Sequence, residues 1–75
     1  MGAGDSVNEN QRRIFGARLA FRREAKDISQ RRLAKILGVC NSYLCHLEAG
    51  RREPSVALLY RIAKELGGHV GGYLP

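Results

Sequence analysis

The 75-residue chain contains no tryptophan and only two prolines, and aromatic residues make up 7% of it. Because proline interrupts helices and central strands, its scarcity leaves long segments free to form helices. No apolar run approaches the roughly 18 to 20 residues of a membrane span, and the N-terminus lacks the basic and apolar regions of a signal peptide. Cys40 and Cys45 are the only cysteines, and on a helix they would point about 140° apart, which disfavours a disulfide. We therefore expect a soluble, cytoplasmic protein with reduced thiols.

Acidic residues are also scarce relative to basic ones. Seven Asp and Glu stand against thirteen Lys and Arg, which gives a formal net charge of +6 and a pI near 10.0. Most of the cations are arginine, whose planar guanidinium suits bidentate contact with phosphate and guanine. This balance indicates an anionic polymer as partner, and a basic surface that serves only solubility is the alternative.

Helix formers dominate a chain that is long enough for one domain. Residues 1–8 are small and polar, so we expect a flexible leader there and one domain over residues 9–75. Helical spacing of apolar residues predicts a first helix that begins near Asn8 to Asn10 and ends by Lys26, with Phe15 and Leu19 towards the core. Asp27 follows it, and aspartate is among the residues that tolerate a left-handed backbone.

Residues 29–50 have the pattern of two short helices joined by a glycine turn. Ser29 is a good N-cap for a second helix from Gln30 to about Leu37, which Gly38 would end. A third helix would run from about Asn41 to Ala49, closed by a second glycine. The inner face of the second helix would consist of Leu33, Ala34 and Leu37. Two helices joined by a turn of about three residues form a helix-turn-helix.

A fourth helix is predicted from Val56 to Leu66, with Ser55 as its N-cap. Its apolar spacing predicts an inner face of Val56, Leu59, Ile62, Ala63 and Leu66. The glycine-rich tail allows one more turn that packs back on the core through Val70, Tyr73 and Leu74. The whole pattern predicts an all-α bundle of four to five short helices with a central helix-turn-helix.

The third helix would have two distinct faces when projected at about 100° per residue. Leu44 and Leu47 point inward. The opposite arc is small and polar, and it comprises Asn41, Ser42, Cys45, His46 and Ala49. Such an arc can enter the major groove of DNA because no long side chain blocks the base edges. Four candidate base-reading residues follow: Asn41 for adenine, Ser42 for either donors or acceptors, Cys45 for a thymine methyl, and His46 for guanine.

Arginines flank this arc on both sides. Arg31 and Arg32 lie in the first turn of the second helix, where the helix dipole favours acidic residues by ~0.3 to 1 kcal/mol per charge. Contact with DNA phosphates, shared with the amides of that helix N-terminus, would explain their position. Arg51 and Arg52 would hold the DNA backbone on the other side, and Tyr43 is suited equally to a phosphate contact or to half-buried packing. The candidate phosphate-contacting residues are Gln30, Arg31, Arg32, Tyr43, Arg51 and Arg52.

The ordered motifs between residues 15 and 67 resemble the lambda repressor and Cro type helix-turn-helix family, also called the Xre family. They read GARL, SQRRLAKILGV, SYLCHLEAGRREPS and LLYRIAKELG. The resemblance implies a five-helix, usually dimeric fold that binds operator DNA and regulates transcription. It places Gln30 on the family's glutamine at the start of the second helix, and Asn41, Ser42 and His46 on its base-reading positions.

The resemblance also implies a structural pair, because the family joins an arginine of the first helix to the glutamate before the turn glycine. Those positions are Arg23 and Glu48 here. Two departures from the family pattern follow. Cys40 takes a cap position usually held by Ser or Thr, so that cap should be weak. Arg22 replaces an apolar residue, and we expect its stem along the core and its head in solvent.

A second apolar stripe lies on the first helix, roughly 100° or more from the core face. It consists of Ile14, Ala17, Phe21 and Ala25. An exposed row of this kind predicts either a protein interface or a seat for the C-terminal Tyr73 and Leu74.

Neither a metal site nor a catalytic site is expected. Cys40, Cys45, His46 and His69 match no common zinc spacing, and we expect no cofactor. Cys45 and His46 are adjacent on a helix and diverge by about 100°, with no acid to orient them, so we expect no enzyme. A redox-sensitive thiol at Cys45 stays open.

The sequence thus predicts a sequence-specific DNA-binding transcriptional regulator. Its simplest form is a homodimeric repressor that binds a pseudo-palindromic operator in double-stranded DNA and is nucleoid-associated when bound. The alternative is an antitoxin or adaptor of the same fold that acts on a protein partner, either a toxin or a co-regulator. Steep loss of DNA binding with salt would favour the first.

Overall fold

The computed structural model describes residues 9–68 and 72–73. It contains four helices: α1 (Glu9–Ala25), α2 (Gln30–Leu37), α3 (Asn41–Glu48) and α4 (Val56–Leu66). No strand occurs among the described residues, so the predicted all-α class is confirmed. None of these four helices combines the length and apolar character that a bilayer crossing requires. The predicted leader, residues 1–8, lies outside the described residues.

Local sequence signals place the ends of α1 and α2 as expected. Asp27 has a φ of 58°, the left-handed conformation predicted for the end of α1. The Ser29 hydroxyl accepts a hydrogen bond from the Arg32 backbone N–H at 3.1 Å and thereby caps α2. Gly38, with a φ of 74°, ends the same helix in a conformation that glycine adopts without steric cost.

The two later helices differ in how they begin. The Ser55 hydroxyl accepts from the Leu58 backbone N–H at 3.1 Å, which is the predicted cap of α4. Cys40 occupies the equivalent position of α3 and makes no side-chain cap bond, so the expected weak cap is confirmed. The start of α3 therefore depends on packing more than on a local hydrogen bond.

One continuous apolar core joins all four helices. Its helical members are Phe15, Leu19, Leu33, Ala34, Leu37, Leu44, Leu47, Leu58, Leu59, Ile62, Ala63 and Leu66. The predicted inner faces of α1, α2 and α3 are confirmed. In α4 the prediction for Val56 is wrong, because its side chain is 71% exposed, whereas Leu58, not predicted, is 7% exposed. Both residues lie in the first turn of α4, but only Leu58 faces the core.

Close contact between α1 and α3 depends on Gly16. A Cβ atom on Gly16 would lie 2.5 Å from the backbone oxygens of both Leu47 and Glu48. Only a residue without a side chain allows the two backbones to approach this closely. This contact holds the C-terminal half of α3 against α1 and leaves its opposite surface free.

The C-terminal segment returns to the core through Tyr73, which is fully buried. Its hydroxyl donates to the Gly67 carbonyl oxygen at 2.7 Å. The expectation that Tyr73 packs on the core is confirmed, whereas Val70 and Leu74 lie outside the described residues. The expected solvent position of the Arg22 head is wrong: its Cζ lies 4.8 Å from the centre of the Tyr73 ring. A cation over an aromatic face is favourable, and this partner came from a distant part of the chain.

Candidate nucleic-acid interface

The outward arc of α3 is accessible along its length. Leu44 and Leu47 are fully buried on the other side and fix the rotation of the helix about its axis. Of the five arc residues, His46 is half-buried and the other four, Asn41, Ser42, Cys45 and Ala49, are exposed. The structure therefore brings the four candidate base-reading side chains to one surface. Their individual contacts with bases stay a prediction.

Behind this arc, Arg23 and Glu48 form a bidentate ion pair. Arg23 Nε donates to Glu48 Oε2 at 2.6 Å, and Nη2 donates to Oε1 at 3.1 Å. The two side chains are only 11% and 7% exposed. The hydrogen bond with Glu48 raises the pKa of Arg23 further above its ordinary value, although burial opposes this effect. The structural pair implied by the family resemblance is present.

The same arginine connects the start of α2 to this pair. Arg23 Nη1 donates to the Ile28 carbonyl oxygen at 2.7 Å, in the loop that precedes α2. Gln30, the first residue of α2, donates from Nε2 to Glu48 Oε1 at 2.8 Å. Three elements are thus joined at one carboxylate, which sets the position of α2 relative to α3.

This geometry modifies the expectation for Gln30. One N–H of its amide is bound to Glu48, so only the second N–H of Nε2 is left to donate to a phosphate oxygen. The side chain is half-buried and positions α2 before any DNA is present. A phosphate contact from Gln30 stays a prediction, with the internal bond as its established role in this fold.

Arg31 and Arg32 project from the first turn of α2 and are exposed. No acidic residue lies in that turn to balance them. Their side chains make no hydrogen bond or ion pair with any other residue of the described part of the chain. Two cations at the positive end of a helix dipole are unfavourable for the helix itself.

A second basic group lies at the C-terminal end of α3. Arg51 and Arg52 follow the turn glycine, are exposed, and bond to none of the residues in 9–68 or 72–73 through their side chains. Tyr43 is half-buried and packs against the core, and its hydroxyl donates to the Glu53 carbonyl oxygen at 3.4 Å. That bond is long, so it holds the hydroxyl weakly. The packing role of Tyr43 is confirmed, and its phosphate contact stays a prediction.

Sequence reasoning missed Arg12, which belongs to this second basic group. Arg12 Nε donates to the Gly50 carbonyl oxygen at 3.3 Å, and Arg12 lines a surface notch together with Tyr43, Arg51 and Arg52. The bond spans 38 residues, and no local periodicity could have indicated it. Gly16 was also missed, although a glycine inside a helix costs roughly 0.5–1 kcal/mol relative to alanine and is itself a signal of close packing.

The cysteines lie at this surface, and within the described part of the chain they belong to no cluster of possible metal ligands. Cys40 and Cys45 are both free and exposed. Within residues 9–68 and 72–73, no three His, Cys, Asp or Glu side chains are grouped so as to hold a metal ion. His69, the fourth residue considered for zinc, lies outside the described residues.

A helix-turn-helix with a polar, accessible second helix is the arrangement of a DNA-binding domain. A sequence model of the helix-turn-helix family HTH_3 matches residues 19–72. The chain therefore belongs to this family, which comprises the lambda repressor-like, or Xre, helix-turn-helix proteins.

Relatives with similar sequences carry the name of transcriptional regulators. The chain is 36% identical over 58 residues to the HTH-type transcriptional regulator y4dJ of Sinorhizobium fredii, a match that spans 77% of this chain and 75% of that protein. It is 43% identical over 51 residues to an HTH-type transcriptional regulator of Mycobacterium tuberculosis. That second match spans 68% of this chain but only 36% of the relative.

Solved structures of regulators have the same fold. The clp gene regulator ClgR from Corynebacterium glutamicum superposes with a TM-score of 0.78 at 37% identity, over 83% of this chain and 66% of that chain. The restriction-modification controller protein C.AhdI from Aeromonas hydrophila superposes with a TM-score of 0.77 at 32% identity, over 83% of this chain and 94% of that one.

The fold also occurs as part of an enzyme chain. The hydroxypropylphosphonic acid epoxidase from S. wedmorenis superposes with a TM-score of 0.83 at 29% identity, over 91% of this chain but only 36% of that chain. The chain thus spans about a third of that enzyme. The shared fold does not define a reaction, because function resides in sites that differ among proteins of one fold.

Proposed function

We propose that this protein is a sequence-specific DNA-binding transcriptional regulator, most simply a repressor, that inserts α3 into the major groove. One observation carries the proposal. The outward arc of α3 consists of small polar side chains, and exposed arginines without internal partners flank it in the described part of the chain. A fold that needed no anion would not benefit from cations at the start of α2.

The arc provides the donors and acceptors that distinguish base pairs. Asn41 can bond an adenine in bidentate fashion, and His46 can donate to a guanine acceptor. Ser42 can serve as donor or acceptor, and Cys45 can contact a thymine methyl. These four residues would decide which sequence is bound.

Arg31 and Arg32 at one side, with Arg51 and Arg52 at the other, would contact the phosphates on both sides of the groove. Such contacts orient the protein and contribute affinity without sequence information. With one phosphate neutralised by each of these four arginines, the logarithm of the binding constant should fall with the logarithm of salt at a slope of about −3.6 per subunit. Tyr43 and the second amide N–H of Gln30 would add uncharged contacts.

A homodimer on a pseudo-palindromic operator is the simplest assembly. Two copies of α3 would then lie about 34 Å apart, one helical turn of DNA, so that each reads one half-site. The protein would act in the cytoplasm and associate with the nucleoid when bound. We expect no cofactor and no catalytic activity.

Selection of bound sequences from a random DNA pool tests the proposal and the half-site spacing together. His46→Ala should then weaken the selected site by about 1 to 3 kcal/mol and relax the preference at one base position. Arg51→Ala should instead weaken selected and scrambled sites alike. Lys64→Ala, an exposed cation on α4 outside the interface, is the control for loss of one charge. Equal behaviour of the His46 and Arg51 variants on both sites would refute the base-reading assignment.

A second candidate function is binding of a protein partner, as an antitoxin or adaptor, and one surface favours it. Phe21 is 73% exposed, Ala17 and Ala25 beside it are exposed, and Ile14 is half-buried. A groove of about 580 Å³ adjoins Phe21 and extends to Leu66 and Gly72. The alternative role of the stripe, a seat for Tyr73 and Leu74, stays a prediction, because Tyr73 is buried next to Arg22 and Leu74 lies outside the described residues.

The chemistry of that groove favours an acidic partner over a second copy of this chain. Three cations, Arg18, Arg22 and Lys26, line it beside the apolar side chains. A second copy of the chain would bring like charges together. A helix with acidic residues beside apolar ones would complement both the cations and the apolar side chains of the groove. Phe21→Ser should leave DNA affinity unchanged and weaken the binding of such a partner. If Phe21→Ser leaves the dissociation constants of both dimerisation and partner binding unchanged, the partner-binding function is wrong. If DNA affinity does not depend on salt, partner binding is favoured over DNA-binding regulation.

A further inference from the structure

We propose that the N-terminal half of α1 adds a phosphate-binding site to the helix-turn-helix, with Arg12 as its new member. The inference rests on the proposed DNA-binding function and names a further part of its interface. The site is the notch defined above, lined by Arg12, Tyr43, Arg51, Arg52 and Glu53. Its ligand would be a phosphodiester of the DNA backbone.

The backbone of α1 holds Arg12 in place. Arg12 Nε donates to the Gly50 carbonyl oxygen at 3.3 Å. The residue after Arg12 also contacts this turn. A Cβ atom on Gly50 would lie 2.6 Å from Arg13 Cγ and 2.9 Å from Arg13 Cα, so the turn after α3 directly contacts α1. Gly50 has a φ of 80°, which also requires glycine there. The guanidinium of Arg12 is thus positioned by two elements before any ligand arrives.

The charge of the notch favours an anion. Three arginines and one glutamate, Glu53, are among the residues that line it, so their formal charges sum to an excess of two positive charges. Arg12 makes a further contact within the protein besides its bond to Gly50, so its guanidinium, with five N–H donors in all, would share them between these contacts and the phosphate. Its planar array matches the geometry of phosphate oxygens. Tyr43 can add a hydroxyl donor, because its bond to the Glu53 carbonyl oxygen is long at 3.4 Å.

The notch is large enough and open to solvent. Its volume is about 280 Å³, compared with the roughly 30 Å³ that one water molecule occupies in the liquid. A phosphate group and part of its hydration shell would therefore fit. Glu53 would repel the phosphate if its carboxylate turned inward, so we expect it to point to solvent in the complex.

The notch flanks α3 on the side away from Arg31 and Arg32. Tyr43 and Glu48 are five residues apart, so their side chains project about 140° apart across the core side of the helix. Glu48 binds Gln30 at the start of α2, whereas Tyr43 lines the notch. The base-reading arc lies between these two edges, and a phosphate in the notch would fall on the strand opposite the one held by α2.

Arg12 lies outside the segment that the family model matches. The match begins at residue 19, seven positions after Arg12. A substitution at Arg12 therefore leaves the matched segment unaltered.

Arg12→Gln is the sharpest test. The Gln side-chain nitrogen takes the position of Arg Nε and can keep the bond to Gly50, while the positive charge is lost. We expect the salt slope of DNA binding to become shallower by about 0.9, one phosphate contact. The ratio of the parent's DNA affinity to that of Arg12→Gln should therefore decrease by roughly threefold to fourfold when salt is raised from 50 mM to 200 mM. Selected and scrambled DNA should be affected alike, and the melting temperature should not change.

Arg13→Ala is the matched control, because it removes an exposed arginine of the same helical turn that does not line the notch. Its slope should stay that of the unaltered protein. An unaltered slope in Arg12→Gln, with a steep slope in the parent, overturns this inference alone. A parent that binds DNA without salt dependence overturns the proposed function and this site with it. Should Arg12→Gln lower the melting temperature while the slope stays steep, Arg12 is structural and the inference is wrong.

Discussion

Two sets of arginines near α3 differ in what they bind. Arg23 is almost enclosed and donates to a carboxylate and a carbonyl within the fold. The exposed set, by contrast, donates to no described residue through its side chains. It consists of Arg31, Arg32, Arg51 and Arg52. The enclosed arginine therefore stabilises the fold, whereas the exposed arginines leave their N–H donors to solvent.

The difference teaches which charges the fold needs. Breaking a buried pair strands a charge and is costly, whereas an exposed cation at a helix N-terminus is mildly unfavourable for the helix. Removing Arg23 or its partner should therefore affect stability, and removing the exposed arginines should affect binding. Glu48→Ala and Arg32→Glu test this division, whereas Gly16→Ala and Tyr73→Phe test the packing around it; the expected effects decrease from Glu48→Ala to Tyr73→Phe.

Glu48→Ala should have the largest effect. It strands Arg23 and deprives Gln30 of its acceptor, so the free energy of unfolding should fall by about 3 to 5 kcal/mol. Urea denaturation followed by circular dichroism measures this loss. Glu65→Ala, an exposed acid of α4, should change it by less than about 0.5 kcal/mol. Similar values for the two variants would contradict the assignment of Glu48 to the fold.

Gly16→Ala should come second. Alanine normally stabilises a helix relative to glycine by roughly 0.5–1 kcal/mol, yet here its Cβ would lie 2.5 Å from two backbone oxygens of α3. We expect a net destabilisation of about 1 to 3 kcal/mol as the helices separate, in line with overpacked cores. Thermal unfolding decides the sign. A stabilised variant would show that α1 and α3 can move apart without cost.

Arg32→Glu should separate stability from binding. A glutamate three residues after Ser29 completes a capping box and removes a cation from the positive end of α2, so stability should rise by about 0.3 to 1 kcal/mol. DNA affinity should fall because one phosphate contact becomes a repulsion. Lys35→Glu, the same charge change in the last turn of α2, should instead lower stability. A loss of stability in Arg32→Glu would place Arg32 with the structural set.

The smallest effect concerns alkaline pH. Burial raises the pKa of Tyr73 above its ordinary value of 10.0, although nearby Arg22 opposes this. The folded state then holds the phenolic proton more tightly than the unfolded state, so this contribution to stability is complete below pH 10 and is lost as the pH rises through the folded-state pKa. Tyr73→Phe should show a shallower decline in the free energy of unfolding above pH 10. Parallel curves for the two proteins would contradict the burial of that hydroxyl.

The helix bounds could be predicted because their signals are local. Ser29 and Ser55 bond to backbone amides three residues later, and Gly38 adopts a left-handed turn, so each end is encoded within one turn of chain. The first turn of α4 was the exception. Val56 and Leu58 are both apolar, and only the direction of the core distinguishes them.

Contacts between distant residues were accessible only where the family resemblance supplied them. The pair of Arg23 and Glu48 spans 25 residues and was expected on that basis alone. The bond of Arg12 to Gly50 and the stacking of Arg22 on Tyr73 had no such guide. Gln30 was predicted to contact a DNA phosphate, but in the structure its side-chain amide donates to Glu48.

The sequence by itself determined the class of fold, the four helices and the polar arc of α3, because caps, glycine turns and apolar spacing act over a few residues. Tertiary structure decided which arginines are enclosed, how closely α1 approaches α3, and that Arg12 joins Arg51 and Arg52 at one notch. The physical reason is that enclosure and close approach depend on how helices pack across tens of residues, and local pattern does not specify that packing.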